Sequence, residues 1–367
     1  MMDIKKEPAK SYYKQINKKI IEKIAAGIYL PNEHIPSERE LCDIYSVSRT
    51  TIRKAIDELV ADGLLIRKPG KGTFVTEKKL SKKPKTGNIL YIRCVHSDIT
   101  KSTSSIKNDI FYPEILAGVE IAATSNNYHC VIRTINENDF TSEQLEESIE
   151  NTDGIVCAEL HNICFFKYLQ KFSIPIILVC PSIKSSKVDI VEIDNDTGAY
   201  EAVNHLIDHG HKRIAFIGGT ETSLPSEIRE MGYIKALKNH DINHTYIRKS
   251  YWRLEDGYNI TLDLLKEKIP PTAIFAASDL LAIGAVNAIK DQGLNVPDDI
   301  SVIGFDDISM SSQMKPALTT MSVRKLEIGK IAAQLLYEKI TNKRKYSLKT
   351  VVPAELIVRD TVTKLKK

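Results

Sequence analysis

Residues 36–75, PSERELCDIYSVSRTTIRKAIDELVADGLLIRKPGKGTFV, decide how the front of this 367-residue chain folds. Ser37 followed three residues later by Glu40 has the form of a capping box, in which each side chain satisfies the other's backbone N–H at a helix start. Leu41, Ile44 and Tyr45 then supply the apolar face of a short helix. The next helix is expected to begin near Ser48. Ile52, Ile56 and Leu59 form its buried stripe, Arg49, Thr50, Arg53 and Lys54 point elsewhere, and Gly63 ends it. Leu64 to Val75 reads as a hairpin turning at Pro69-Gly70-Lys71-Gly72. Upstream, Ile16, Ile20 and Ile24 recur every fourth position on a helix from Tyr13 to about Gly27, after which Pro31 forces a turn.

Three helices followed by a basic hairpin are the layout of a winged helix-turn-helix, whose recognition helix offers its N-terminal residues to base edges in the major groove. Arg49 and Arg53, four apart on one helical face, each suit bidentate hydrogen bonds to guanine, while Ser48, Thr50 and Thr51 reach phosphates or a thymine methyl. Lys68, Lys71 and the backbone of Gly70 belong at the wing tip, close to the phosphodiester. Charge agrees with this placement: residues 1–87 carry 19 Lys/Arg against 11 Asp/Glu, and the rest of the chain is net acidic.

Glu77 to Gly87 is polar, lysine-rich and contains proline, the composition of a linker that buries no core. Beyond Asn88 strand-like runs (NILYIRC, YHCVIRTI, DGIVCAEL, IPIILVC, RIAFIGG, AIFAASD, ISVIGFDD) alternate with helix-period segments, which calls for parallel sheets covered by helices on both faces. Some 280 residues and about nine strands exceed one such sheet, so two doubly wound α/β lobes are expected. The domain division is therefore 1–76 for a DNA-binding winged helix-turn-helix, 77–87 for a linker, and 88–367 for a two-lobed α/β body. With 43% hydrophobic and 27% charged residues the chain belongs among globular proteins. No signal peptide and no membrane-spanning run is visible, so a soluble cytoplasmic protein is expected. The scattered cysteines, without a CxxC pair, read as reduced and mostly buried thiols.

The quoted stretch 36–75 resembles the DNA-binding domain of the GntR regulators almost residue for residue. That resemblance implies DNA contacts from Arg39, Ser48, Arg49, Thr50, Thr51, Arg53 and Gly70, and an orienting role for Tyr13; the run Pro69-Gly70-Lys71-Gly72 departs from the commoner run of glycines. Residues 88–367 resemble the sugar-responsive LacI/GalR regulators, most clearly in HLIDHGHKRIAFIGG, SDLLAIGAVNAIKDQGLNVPDDISVIGFDD and VVPAELIVRD. A GntR-type head on this body is similar to the arabinose repressors of Gram-positive bacteria, which points to L-arabinose as effector and to a homodimer on double-stranded operator DNA.

A sugar site needs charged or planar groups that take several hydroxyls, and an aromatic face for the C–H side of the ring. By the resemblance Arg229 stands at the hydroxyl-clamping arginine and Asp306 at its acidic partner. Ser278 and Asp279 follow a strand, Phe111 and Tyr112 open the first helix of the body, and Trp252 ends the strand TYIRKSYW. Asp279 equally suits a helix cap. Glu159 is a further candidate, and Cys180 replaces a polar ligand-contacting side chain.

Other classes fit less well. His205 and His209 have the spacing of helical zinc ligands, but HLIDH lacks the metalloprotease glutamate; no metal site is expected. No GxGxxG follows a strand, no GxxxxGK[ST] occurs, and no nucleophile–base pair is evident, so no catalytic residues and no cofactor are expected. An enzyme with a doubly wound body, and a sugar receptor with no DNA-binding role, are the competing classes.

Overall fold

The computed structural model describes residues 12–25, 28–30, 32–61, 64–76, 86–95, 110–140 and 142–365. The chain divides into two compact units, Met1–Lys85 and Thr86–Lys367. The smaller unit contains α1 (Tyr12–Ala25), α2 (Glu38–Tyr45), α3 (Arg49–Ala61) and an antiparallel hairpin of β1 (Leu65–Lys68) and β2 (Gly72–Val75). Ile16 and Ile20 of α1, Leu41 and Tyr45 of α2, and Ile52, Ile56 and Leu59 of α3 meet in one buried core that Leu65 and Val75 close from the hairpin. The capping box forms: the Glu40 N–H donates to Ser37 Oγ at 3.3 Å and the Ser37 N–H to Glu40 Oε2 at 2.7 Å. Ile44 departs from its expected place in the core and is 44% exposed. On a helix of two turns Leu41 and Tyr45, four apart, already fill the contact, and Ile44 falls on the flank.

Ser46, in the left-handed conformation, reverses the chain between α2 and α3. The wing turns through Gly70 and Gly72 at φ 70° and 104°, backbone conformations that side chains with a Cβ rarely adopt. The expected helix ends at Gly27 and Gly63, the turn at Pro31 and positions 77–85 of the linker lie outside the described residues. Thr86 and Gly87, expected in the linker, instead donate backbone N–H groups to the Asp153 carboxylate at 2.9 and 3.0 Å and belong to the larger unit.

The larger unit begins with β3 (Asn88–Val95), α4 (Tyr112–Ser125), β4 (His129–Asn136), α5 (Ser142–Glu150), β5 (Gly154–Ala158), α6 (Ile163–Leu169), β6 (Ile176–Val179) and β7 (Asp189–Ile193). The chain then passes to a second lobe: α7 (Asn195–Asp208), β8 (Ile214–Gly218), α8 (Leu224–Asn239), β9 (Tyr246–Lys249), α9 (Leu254–Leu265), β10 (Ala273–Ala276), α10 (Asp279–Asp291), β11 (Ser301–Asp306), α11 (Ser309–Gln313) and β12 (Thr319–Val323). It returns to the first lobe for α12 (Lys325–Ile340) and β13 (Lys349–Val352), and Pro353 alone leads back to β14 (Ala354–Ile357). The strand orders are β13-β7-β6-β5-β3-β4 and β14-β12-β11-β10-β8-β9, with every pairing parallel except β12 with β14. These are the two doubly wound lobes expected from the alternation of strand and helix patterns.

The sheets hold more strands than the nine or so anticipated. Strands β7, β12, β13 and β14 escaped the sequence reading because polar residues interrupt them (DIVEI, TTMSV, KTVV and AELI), and β13 and β14 keep polar or exposed positions at sheet edges. The apolar runs at β5, β6, β8 and β10 are buried along their whole length, as parallel strands covered on both faces require. In the first sheet β3 lies between β4 and β5, and in the second β8 lies between β9 and β10. Each order reverses direction there, which opens a crevice outside the carboxyl ends of the strands. No described helix is long and apolar enough to cross a membrane. Of the cysteines, Cys94 and Cys157 are buried, Cys42, Cys130 and Cys180 half-buried, and Cys164 exposed.

Candidate functional site

In the smaller unit the polar side chains gather at the start of α3. Ser48 caps it: its carbonyl accepts the Ile52 N–H, and its hydroxyl lies 2.8 Å from those of both Thr50 and Thr51. Arg49 and Arg53 project into solvent with side chains 72% and 61% exposed. Both reach back to Glu38, at 3.1 and 3.5 Å, and Arg67 of the wing reaches the same carboxylate at 3.4 Å. Glu38 thus ties both arginines of α3 and the wing to one carboxylate. Sequence reading passed it over, because a glutamate in the first turn of a helix has a sufficient local reason to be there. Arg39, Lys68 and Gly70 are exposed, Lys68 lies over the Phe74 ring, and Lys54 packs on Tyr13, so the α1–α3 contact fixes the orientation of the reading helix.

In the larger unit the second lobe is built around Arg229. Its side chain is 4% exposed in α8; Nε donates to Asn195 Oδ1 at 2.8 Å, and Nη1 donates to the Ala277 carbonyl and, at 3.4 Å, to Asp306 Oδ1. The guanidinium lies flat on Phe305, 3.7 Å from the ring centre. Among the described residues Nη2 has no partner. Burial draws the arginine down from its ordinary value and pushes the Asp306 carboxyl up to about 6, against the pull of Arg229 and Lys325. The pair is desolvated and geometrically fixed, the condition under which a hydroxyl gains most from charge-assisted hydrogen bonds.

Backbone strain marks the same strand ends. Glu159 after β5, Cys180 after β6, and Asp306 with Asp307 at the end of β11 adopt φ of 61°, 47°, 111° and 48°. Non-glycine residues in this region are uncommon and concentrate where a structure must aim particular side chains. Lys325, 3% exposed at the start of α12, donates from Nζ to the carbonyls of Asp306 at 2.6 Å and Asp307 at 3.3 Å and pairs with Glu114 of α4 at 3.4 Å. It ties the Asp306 loop of one lobe to the first helix of the other.

The remaining candidates divide. Phe111 and Tyr112 open α4 as expected and meet edge to face at 5.1 Å. Trp252 is not at a strand end: β9 stops at Lys249, and the indole lies against Gly219 so closely that a Cβ there would fall 2.1 Å from the ring. The ring therefore packs from a loop on the backbone just after β8. Ser278 caps α10, its Oγ accepting the Leu281 N–H at 3.3 Å. Asp279 is fully buried and accepts from Ser311 Oγ, Thr320 Oγ1 and the Ile308 N–H, which anchors the segment just after Asp306 and Asp307. Of the histidines of HLIDHGH, His209 Nδ1 lies 2.7 Å from the His205 carbonyl, and His211 is bonded to Thr272 and to the Thr363 carbonyl.

Burial, reinforced by the charge of Asp306, raises the Asp279 carboxyl to about 7, against three hydrogen bonds that lower it. A carboxyl raised on folding favours the folded state below its unfolded value near 4 and loses that contribution as pH climbs through about 7. The calorimetric transition of the larger unit is therefore expected to move to lower temperature between pH 5 and pH 8. Asp279→Asn should flatten that slope and leave only the part due to Asp306; an identical slope in wild type and variant would remove Asp279 as its source.

Comparison with known proteins places residues 12–75 among the bacterial regulatory proteins of the gntR family and residues 203–362 in the periplasmic binding protein-like domain family. A winged DNA-reading unit joined to a two-lobed ligand-binding fold is the build of a transcription regulator. Over 349 residues the chain is 30% identical to an arabinose metabolism transcriptional repressor of Halalkalibacterium halodurans, covering 91% of this chain and 90% of that one. It is 28% identical to the arabinose metabolism transcriptional repressor of Geobacillus stearothermophilus over 98% of this chain and all of that one. Among solved structures, a LacI family regulator from Enterococcus faecium with bound ribose superposes with TM-score 0.65 at 26% identity, over 76% of this chain and all of that one. The chain belongs to the bacterial transcriptional repressors that join a GntR-type DNA-binding domain to a LacI/GalR-type effector domain. It is a regulator and not an enzyme.

Proposed function

We propose that residues 1–76 grip a pseudopalindromic operator, that residues 88–367 pair two chains into a homodimer, and that a small sugar, L-arabinose, entering the cleft of the effector domain releases the DNA. The observation that carries this reading is the buried Arg229–Asp306 pair at the carboxyl ends of β10 and β11, where a ring's hydroxyls find a donor fork and an acceptor together. The arabinose repressors among the relatives support the choice of sugar, and the ribose held by the Enterococcus faecium regulator supports a pentose-sized ligand. Recognition of DNA falls to Arg39, Ser48, Arg49, Thr50, Thr51, Arg53, Lys68 and Gly70. In the cleft Phe111, Tyr112, Trp252 and Ser278 complete the site around Arg229 and Asp306, and Asp279 holds the loop that aims Asp306.

Release needs only that the sugar bind the form that does not fit the operator more tightly than the form that does. A tenfold loss of operator affinity corresponds to about 1.4 kcal/mol of coupling. The test is a titration of the protein on its upstream operator fragment with pentoses and hexoses at fixed salt, because phosphate contacts make affinity depend on ionic strength. Release by L-arabinose alone is the expected result. Release by another sugar would keep the mechanism and replace the ligand, and no specific DNA binding would overturn the regulator reading of the smaller unit.

A further inference from the structure

Arg344 and Asp189 form a buried pair that lies away from the cleft. Both Asp189 oxygens accept from Arg344, at 2.8 and 2.7 Å, and Arg344 Nε donates to Glu338 Oε2 at 3.0 Å. The Leu348 N–H also donates to Asp189 Oδ1, and the Leu348 carbonyl accepts the Ile190 N–H at 2.9 Å. Residues 343–348 are thereby pinned at the amino end of β7, just before β13 begins. Arg344 is turned inward, while its neighbours Lys343 and Lys345 are exposed, as are Tyr346 and, two positions before Asp189, Lys187. Lys343 leans on the Tyr337 ring, 5.2 Å from its centre. Among the described residues none of these three lysines has a carboxylate partner, and the nearby acids Asp189 and Glu338 are held by Arg344. The segment 339–349, KITNKRKYSLK, holds five basic residues and no acidic one, in a body that is net acidic.

All strands of the first sheet pair in parallel, so their amino ends lie along one edge, opposite the crevice. The same edge receives the chain from the smaller unit: Thr86 and Gly87 precede β3 and donate to Asp153, which precedes β5. From β3 the sheet order runs through β5, β6 and β7 to β13, four spacings of about 4.8 Å, or roughly 19 Å. Ten peptide units join Thr76 to Thr86 and span at most about 35 Å. The basic loop is thus nearer to the point of entry than that connection can reach. We propose that this edge of the effector domain is a second DNA-binding surface, on which Lys187, Lys343 and Lys345 meet backbone phosphates of the double-stranded DNA flanking the operator. The proposal rests on the smaller unit holding operator DNA and adds to it a surface on the other unit. Ammonium groups on the outer side of an anchored loop suit phosphates, which take a point charge and ask for no base-specific geometry. Such contacts contribute affinity and salt dependence but no choice of sequence.

The experiment compares the full chain with its triple variant Lys187→Gln, Lys343→Gln, Lys345→Gln on two duplexes across a salt series. One is the shortest duplex that keeps specific binding, and the other is the same duplex extended on each side by two helical turns of unrelated sequence. The unsubstituted chain is expected to bind the longer duplex at least about fivefold more tightly at low salt. The variant should lose that advantage and bind the short duplex as the unsubstituted chain does. On the longer duplex its plot of log affinity against log salt should flatten by about 0.9 for each phosphate contact removed. The three side chains are exposed, so the thermal transition of the variant should match that of the unsubstituted chain. Equal affinities and slopes of the two proteins on the longer duplex overturn the proposal. A loss of the same size on both duplexes also overturns it, because the lysines would then lie on the operator itself. Weaker repression of a reporter in cells, with equal slopes on DNA, would assign the surface to an acidic protein partner and overturn it too. If the unsubstituted chain binds neither duplex specifically, the reading of the smaller unit falls, and this proposal with it.

Discussion

Arg229→Ala is expected to bind the operator as the unsubstituted chain does and to stay on it at sugar concentrations that release the wild type. The guanidinium is buried, and its removal deprives three acceptors of a donor at once: Asn195 Oδ1, the Ala277 carbonyl and the Asp306 carboxylate. Breaking a buried ion pair by deleting one partner costs about 3–5 kcal/mol, because the remaining charge is left uncompensated. Part of that cost falls on the free protein as stability, and part on the sugar, which loses its donor fork and faces an Asp306 no longer held in register. An effector affinity reduced by a factor on the order of 100 or more is the expected reading in a calorimetric titration. Arg229→Lys keeps a charge but not the planar fork, and should fall between the two. Sugar affinity within twofold of wild type in a folded Arg229→Ala protein would take Arg229 out of the site.

The second large effect is expected at the other end of the chain. Arg49→Ala should lose its preference for the operator over unrelated DNA while keeping its fold and its sugar affinity. The fold is spared because the side chain is mostly in solvent, and its tie to Glu38 is a surface ion pair of the kind that contributes little to stability. Discrimination is lost because one bidentate arginine–guanine contact is worth about 1–3 kcal/mol, or roughly 5- to 150-fold between right and wrong base. Non-specific affinity should persist, since the exposed Lys68 and Lys71 and the amino end of α3 remain available to phosphates. Competition binding against shuffled DNA at one salt concentration measures both quantities. Operator preference retained by Arg49→Ala would move base recognition elsewhere on the unit.

The reading head was almost wholly legible in the sequence because its determinants are local. Ser37 and Glu40 are three residues apart, Ile52, Ile56 and Leu59 repeat at helical spacing, and Gly70 and Gly72 permit the wing turn. Each signal refers to neighbours within a few positions, so the polypeptide announces it without any knowledge of the fold. Ile44 was misplaced for the same reason: periodicity says that a face is apolar, but not how far the neighbouring helices cover it.

The effector domain was legible only in outline. Long apolar runs gave the central strands, whereas β7, β12, β13 and β14 are short segments interrupted by charged or hydroxyl residues, such as Asp189 and Glu192 in β7 and Glu355 in β14. Buried charges were the least legible of all. Lys325 reads as an ordinary surface lysine until its ammonium is found at the carbonyls of Asp306 and Asp307, and Arg93 is only a polar position in the run NILYIRC until Glu159 and Tyr112 come round to meet it. Asp189 is fully buried because Arg344, 155 residues away, donates to both of its oxygens. A charge enters the interior only when the fold delivers its partner, and the free energy that decides it lies in a contact between distant segments. The sequence by itself determined the helices, the turn chemistry, the arginines of the reading helix and the alternation that makes two α/β lobes. Tertiary structure alone decided which charged groups are desolvated, which strand ends are strained and which side chains share one cleft, since each of these depends on distances that no local pattern contains.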